Sequence, residues 1–326
     1  MNKTVNIKPF KFVPYLKSVL WGGERIAIYK GIDTDQHAIG ESWEVSGVPG
    51  HESVVAEGED KGLTLPQLID RYRGALVGEA VYEKYGNTFP LLVKLIDAKR
   101  DLSLQVHPND ELAMKRHGSR GKTEMWYIID ADEGASIYAG LSQSITPDEY
   151  ERMVADNTVM DVVARHESHA GDLFFLPAGR IHAIGAGNLL AEIQETSDIT
   201  YRIYDYGRLD ANGQPRQLHT ELAKDAIDYN VYDNYKSDYE HVSSGEARLI
   251  KCDYFDIRKV VVTCACDIDA SQCDSFRIIM CLEGAVEVVD NFSNVTEMHR
   301  GETILVPAAT SSLRITGEAT LLTATM

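Results

Sequence analysis

The sequence has no long apolar run, no block of Lys and Arg, and no low-complexity tract. A membrane-spanning helix needs about 18 or more consecutive apolar residues, so the first absence excludes one. The second leaves a net charge of -18 with ten His counted neutral, and the basic footprint that holds a nucleic-acid backbone is missing. An anionic small molecule would have to be met by a local cluster of basic side chains inside a repulsive field. The third, with 44% hydrophobic and 25% charged residues, makes a folded chain the default reading.

Cysteine is also scarce. The five, Cys252, Cys264, Cys266, Cys273 and Cys281, crowd into the last quarter, and an odd number argues against a complete disulfide framework. Cys264 and Cys266 sit in "VVVTCACDI", which reads as an alternating strand with small buried thiols rather than a zinc site. The opening "MNKTVNIKPFKFVPYL" has no apolar core and no small-residue cleavage site, so the expectation is a soluble, cytoplasmic protein. The 326 residues suit roughly two domains, and no feature specifies an oligomeric state.

Most of the chain reads as short β-rich runs punctuated by Gly and Pro. Helices are few. "LTLPQLIDRYRG" has capping-box spacing at Thr64 and Gln67 and Pro66 in the first turn, and continues past a break at Gly74 to Gly78 through "EAVYEKYG". "TPDEYERMVADNTVMDVV" starts a second at Thr146, "NDELAMKRH" a third at Asn109, and "TELAKDAIDY" reads as a fourth. The Tyr-rich stretch from Tyr229 to Glu240 reads as an interdomain linker. Trp21, Trp43 and Trp126 read as core, since a Trp in a β-rich chain is usually buried.

One cadence occurs twice. Gly171 is followed after five residues by Pro177-Ala178, and Gly301 after five by Pro307-Ala308; weaker echoes precede them at Gly134 and Gly284. This predicts an internal repeat of a small antiparallel barrel, the second copy shorter. Eleven residues after Gly171 stands His182, whereas eleven after Gly301 stands Ser312. Metal chemistry, if the repeat is real, belongs to the first copy.

"LSLQVHP" puts Gln105 and His107 two apart in a strand-like run, so both project from the same face. Glu124 heads the next apolar strand, "MWYII", and His182 follows the Gly-x5-Pro turn. Two imidazoles, a carboxylate and an amide oxygen make a donor set for Zn²⁺ or a neighbouring divalent ion with room left for water or substrate.

In order along the chain stand "GGERIA" after Trp21, "ESWEVSG", "FPLLVKLIDAKRDLSLQVHP", "GKTEMWYI", "FLPAGRIHAIGAG" and "EIQETSDITYRIYDYGR". This set, from about residue 10 to 220, resembles the type I mannose-6-phosphate isomerases, zinc-dependent cupins, in their short bacterial form. The resemblance implies a mainly β fold of two cupin (jelly-roll) barrels with helical insertions: a catalytic domain over 1–235 and a degenerate cupin over 236–326. It implies one Zn²⁺ held by Gln105, His107, Glu124 and His182, with Arg202 and Glu192 catalytic. Ser103, Lys122 and Arg208 match positions on the phosphate side; at the last the family also uses Lys, and Arg208 exchanges a point charge for a fork.

The implied activity interconverts mannose 6-phosphate and fructose 6-phosphate, by removing a proton beside a carbonyl and returning it one carbon away. The difficult species is an enediolate, which a Lewis-acidic ion stabilises. Glu192 is the candidate proton shuttle and Arg202 the candidate stabiliser of developing charge. Three other readings compete: an isomerase of unphosphorylated sugars, an Fe(II) oxygenase, and a non-catalytic metal-dependent sugar-binding cupin. The Gln ligand argues against the oxygenase, because beside the two His and the carboxylate it takes up one of the several positions that such an iron site keeps open.

Overall fold

The computed structural model describes residues 5–209 and 213–326; the first four residues of the N-terminal reading lie outside them. The fold is mainly β, and all strand pairing is antiparallel. One sheet orders the strands Leu173–Leu176, Glu124–Ala131, Asn188–Glu195, Leu91–Ala98, Ile39–Val45 and Tyr15–Gly23. A second orders Tyr201–Tyr204, Leu104–Val106, His182–Ile184, Ser136–Leu141 and Val163–Glu167. The third, with nine strands, gathers the chain from Gly245 onward and adds Phe10–Val13 and Val54–Val55 at its edge, Phe10 opposite Leu305.

The first two sheets face one another across a layer that includes Trp21, Ile96, Trp126, Phe174 and Leu190 from one side and Ile137, Ala139 and Ile184 from the other. On its outer face the six-stranded sheet packs against helices and the nine-stranded sheet, through residues such as Leu91, Val93, Leu95, Phe276 and Ile278. Leu91–Ala98 and Asn188–Glu195 are therefore buried on both faces, which is why they read as nearly continuous apolar runs. Each fully buried Leu, Ile or Phe there contributes about 1.5–3 kcal/mol. A charged residue in such a strand needs a partner inside the protein, which bears directly on Lys94 and Glu192.

The helix starts follow the capping chemistry. Thr64 and Gln67, and likewise Thr146 and Glu149, form reciprocal capping boxes at the heads of Leu65–Tyr72 and Pro147–Ala155. Asn109 Oδ1 accepts from Leu112 N at 2.9 Å to start Asp110–His117. The helix from Thr146 ends earlier than its acidic and apolar pattern suggests: Asn157 turns to φ 57° and a short 3₁₀ turn, Val159–Val162, follows. Cys264 lies at an exposed bend between Asp256–Val262 and Ala265–Asp269, not inside one alternating strand.

The Tyr-rich stretch is a strap anchored at Tyr235. Tyr235 is buried against the layer between the two sheets and donates to Leu141 O at 2.8 Å, while the Arg180 guanidinium lies 4.6 Å from the Tyr232 ring and 4.8 Å from that of Tyr235. Gly140, at φ 77°, gives the ring its place: a Cβ there would stand 1.9 Å from Tyr235. Gly140→Ala is therefore expected to lower stability by about 2–3 kcal/mol through overpacking, read as a fall in the thermal midpoint. An unchanged midpoint would show that the strap carries no packing energy.

Candidate metal centre and substrate cavity

Strand register brings the four candidate ligands together from distant sequence. His182 is the direct cross-strand partner of Gln105 in the five-stranded sheet, and Glu124 starts the six-stranded sheet's strand across the seam, opposite Leu176 and Gln194. His107 follows the strand Leu104–Val106 just before Pro108. The ligand atoms of His107, Glu124 and His182 all lie within 4.8 Å of one another, and among the described residues no other group of three or more His, Cys, Asp or Glu comes together in this way.

The hydrogen bonds fix which atoms face the centre. His107 Nδ1 lies 2.8 Å from Ile199 O and His182 Nδ1 2.8 Å from Arg180 O. A carbonyl only accepts, so both Nδ1 atoms carry the proton and both Nε2 atoms are unprotonated. They point at Glu124: His182 Nε2 is 3.2 Å from Oε1 and His107 Nε2 3.6 Å from Oε2. The Gln105 amide lies 3.3 Å from His182 Nε2, and turning it over presents its oxygen.

Burial pushes both His pKa values down, with the Lys122 charge adding to it, to about 3 for His182; both rings are neutral, as ligation requires. Burial likewise raises Glu124 to about 7 against the opposing pull of Lys122. Glu124 Oε1 is buried with no hydrogen-bond partner, a costly state that a cation between Oε1 and the two Nε2 atoms would relieve. The residues fit a divalent ion.

Lys122 closes the other side of this cluster. Its ammonium contacts Glu124 Oε2 and lies 3.3 Å from His107 Nε2, so it stands at the metal end of the site. Ser103, on the face shared with Gln105, is buried and lines the adjoining cavity of about 470 Å³. Gln105, Lys122, Glu192 and Arg202 line it as well; Arg208 does not.

Beside the metal cluster, on the same sheet as Glu124, runs a chain of buried charges. Lys94 Nζ is 2.8 Å from Glu192 Oε2 and 3.6 Å from Glu41 Oε2. The first contact is poorly angled, leaving Oε2 without an aligned hydrogen bond. Trp126 Nε1 donates to Glu192 Oε1 at 2.8 Å and Trp43 Nε1 to Glu41 Oε2 at 2.7 Å. Burial alone would raise the Glu192 carboxyl; the Lys94 charge outweighs it and brings it to about 2. Trp43 and Trp126 are thus core residues whose indole N–H groups also orient the cavity's acids.

Lys94 and Glu41 are absent from the sequence-derived set. The available signal was one Lys in the otherwise apolar "FPLLVKLIDA", a position that makes sense only with buried partners. Arg216 is a second omission. It lines the cavity and, with Arg208, binds Asp205; nothing local in "GQPRQLH" announces it.

The second glycine cadence builds the same local structure without the ligands. Gly171 and Gly301 both adopt positive φ, 91° and 82°, and lead into Leu173–Leu176 and Thr303–Val306. Where Glu124 faces Leu176, Arg277 faces Val306. Where His182 faces Gln105, Ser312 faces Asp269. A cavity of about 490 Å³ opens beside Arg277 and Asp269.

A cation-ready cluster between two antiparallel sheets, opening on a polar cavity, is an arrangement suited to metal-assisted chemistry on a small polar substrate. The catalytic-domain model of type I phosphomannose isomerase matches residues 10–137, and that of the mannose-6-phosphate isomerase cupin domain matches residues 246–326. Mannose-6-phosphate isomerase ManA of Bacillus subtilis is 34% identical over 96% of this chain and 97% of its own; the mannose-6-phosphate isomerase of Streptococcus mutans is 31% identical over 92% of each. The crystal structure of the mannose 6-phosphate isomerase from Bacillus subtilis superposes with a TM-score of 0.89 at 32% identity, covering 98% of this chain and 99% of that one. The chain belongs to the type I phosphomannose isomerase family.

Proposed function

We propose that the protein interconverts mannose 6-phosphate and fructose 6-phosphate with one zinc ion held by Gln105, His107, Glu124 and His182. The observation that carries this is the convergence of two unprotonated imidazole nitrogens and an unpartnered carboxylate oxygen at one end of a polar cavity, in a chain related along its length to enzymes of that name. The donor set, borderline nitrogen with hard oxygen, suits zinc. When bound, zinc supplies Lewis-acid polarisation of the sugar oxygens.

The chain's own residues do the rest. Glu192 is ionised, and its poorly engaged Oε2 faces a shared proton-transfer role between the two carbons. Arg202, cavity-lining and with a buried Nε that lacks a partner, offsets negative charge developing on the sugar. Lys122 acts on the sugar beside the metal ligands and Ser103 donates its hydroxyl nearby. Arg208 belongs to the phosphate side through Asp205. The same reading divides the chain into a catalytic barrel over 1–235 and a degenerate cupin barrel over 236–326, with Phe10–Val13 crossing to pair with the latter.

The test is a coupled isomerase assay on the folded, zinc-loaded protein. We expect turnover of mannose 6-phosphate, with kcat/KM at least about 100-fold above that for free mannose, the discrimination available when a site built for a charged group loses it. Absence of turnover sinks the proposal. A preference for free mannose would transfer it to the isomerases of unphosphorylated sugars.

A further inference from the structure

We infer that Arg216 is the residue that anchors the substrate's phosphate, acting beside Arg202, and that Asp205 is the positioning residue that presents it. This rests on the phosphosugar reading above.

Three guanidinium groups, of Arg202, Arg208 and Arg216, surround the single buried carboxylate of Asp205. Arg216 Nε donates to Asp205 Oδ2 at 2.7 Å and its Nη2 to Oδ1. Arg208 Nε donates to Oδ1 at 3.1 Å, and its other nitrogens turn to Oδ1 and to Asp101 O. Burial favours the neutral Asp205 carboxyl, but the hydrogen bonds from Arg216 and Arg208 outweigh it and hold the group below the usual range. Among the described residues Asp205 is thus one negative charge against three positive ones, a surplus of two.

Among the described residues Arg202 has no carboxylate of its own. Its Nη1 donates to Gln217 O at 3.0 Å and its Nε is buried without a partner. Burial lowers its pKa and the neighbouring Arg216 charge lowers it further, the mark of two guanidiniums held close against their repulsion. Asp198, the exposed acid on this rim, makes no ion pair with any of the three among the described residues. In a chain of net charge -18, a surplus of two positive charges at the mouth of a cavity is what a phosphate monoester dianion would neutralise.

Of the three, Arg202 and Arg216 line the cavity and Arg208 does not. Arg208 is spent on Asp205 and the Asp101 carbonyl, and Lys122 is engaged at the metal end. With Nε and Nη2 fixed on Asp205, Arg216 keeps its Nη1 edge for the ligand, its plane set in advance by the carboxylate.

Three variants, Arg216→Gln, Arg216→Lys and Arg208→Gln, test the inference with two readouts: KM and kcat for mannose 6-phosphate, and the affinity for inorganic phosphate followed by tryptophan fluorescence. Removing a charge-assisted contact to a dianion predicts that Arg216→Gln raises KM by about 10- to 100-fold and weakens phosphate by a similar factor, with kcat changing less than KM and bound metal unchanged. Arg216→Lys retains a point charge and falls between; it also serves if the Gln variant does not fold. Arg208→Gln should raise KM less than Arg216→Gln. If the wild type isomerises the phosphosugar and Arg216→Gln alters neither readout, or if Arg208→Gln has the larger effect, the inference is overturned while the isomerase reading stands. If the wild type turns over no phosphosugar yet binds phosphate in an Arg216-dependent way, the reverse holds.

Discussion

His182→Ala is expected to lose bound metal and catalytic activity together, with kcat/KM falling by at least about 1,000-fold. The estimate rests on position. Outer-shell partners of a ligand are worth about 10- to 100-fold, and His182 would be a ligand itself, with its proton on Nδ1 and its Nε2 lone pair 3.2 Å from Glu124 Oε1. The variant should fold, since the strand it opens, His182–Ile184, keeps its pairing to Ser136–Leu141 through backbone groups, and circular dichroism checks this. Elemental analysis measures the metal; full stoichiometry in the variant would remove His182 from the ligand set. His107→Ala should behave alike, whereas Arg202→Ala should keep its metal and lose mainly turnover. In the wild type, a chelator should lower the thermal midpoint, because an ion bound only by the folded state stabilises it by mass action.

Lys94→Met should produce the largest loss of stability, about 3–5 kcal/mol at pH 7, because it leaves Glu192 a buried carboxylate without its ion-pair partner and Glu41 with Lys17 alone. The pH dependence distinguishes this from lost packing. In the wild type, burial works against the charged ammonium of Lys94, yet the charges of Glu192 and Glu41 outweigh it and raise its pKa. Glu192 sits near 2, below an unfolded value of 4.5. A depressed carboxyl contributes stability that is present above the unfolded pKa and is lost as pH falls through the folded one, so the wild type loses this contribution between about pH 4.5 and 2. Without Lys94 burial dominates and the carboxyl values rise, which destabilises the variant above the unfolded pKa. The deficit should therefore be large at pH 7 and shrink toward pH 4 in denaturant titrations. An equal deficit at both values would mean that only methylene packing had been lost.

Local chemistry was legible and long-range charge pairing was not. Gln105 and His107 could be read because a period of two puts them on one face, and His182 because a glycine turn leads to it. The caps at Thr64, Asn109 and Thr146 follow from short-range hydrogen bonding. Lys94, Glu41 and Arg216 depend on partners 53 to 98 residues away, or on a cavity wall, as the pairing of Lys94 with Glu192 and Glu41 shows. The helix Arg25–Lys30 escaped notice because it is six residues long, lacks a side-chain cap at its start, and is marked only by Gly31 at its end. The anchoring of the Tyr-rich stretch at Tyr235 could not be read because the segment is polar in composition; the ring's burial depends on the space that Gly140, lacking a side chain, leaves open.

The exchange of Glu124 for Arg277 across equivalent strand partners has a consequence for how the two halves depend on the cell. On the proposed reading the leading half takes its cation from solution, whereas the trailing half carries one covalently, on the Arg277 side chain. Starving the protein of divalent ions should therefore soften the region around His182 while leaving amide exchange in Arg277–Asp290 as it was.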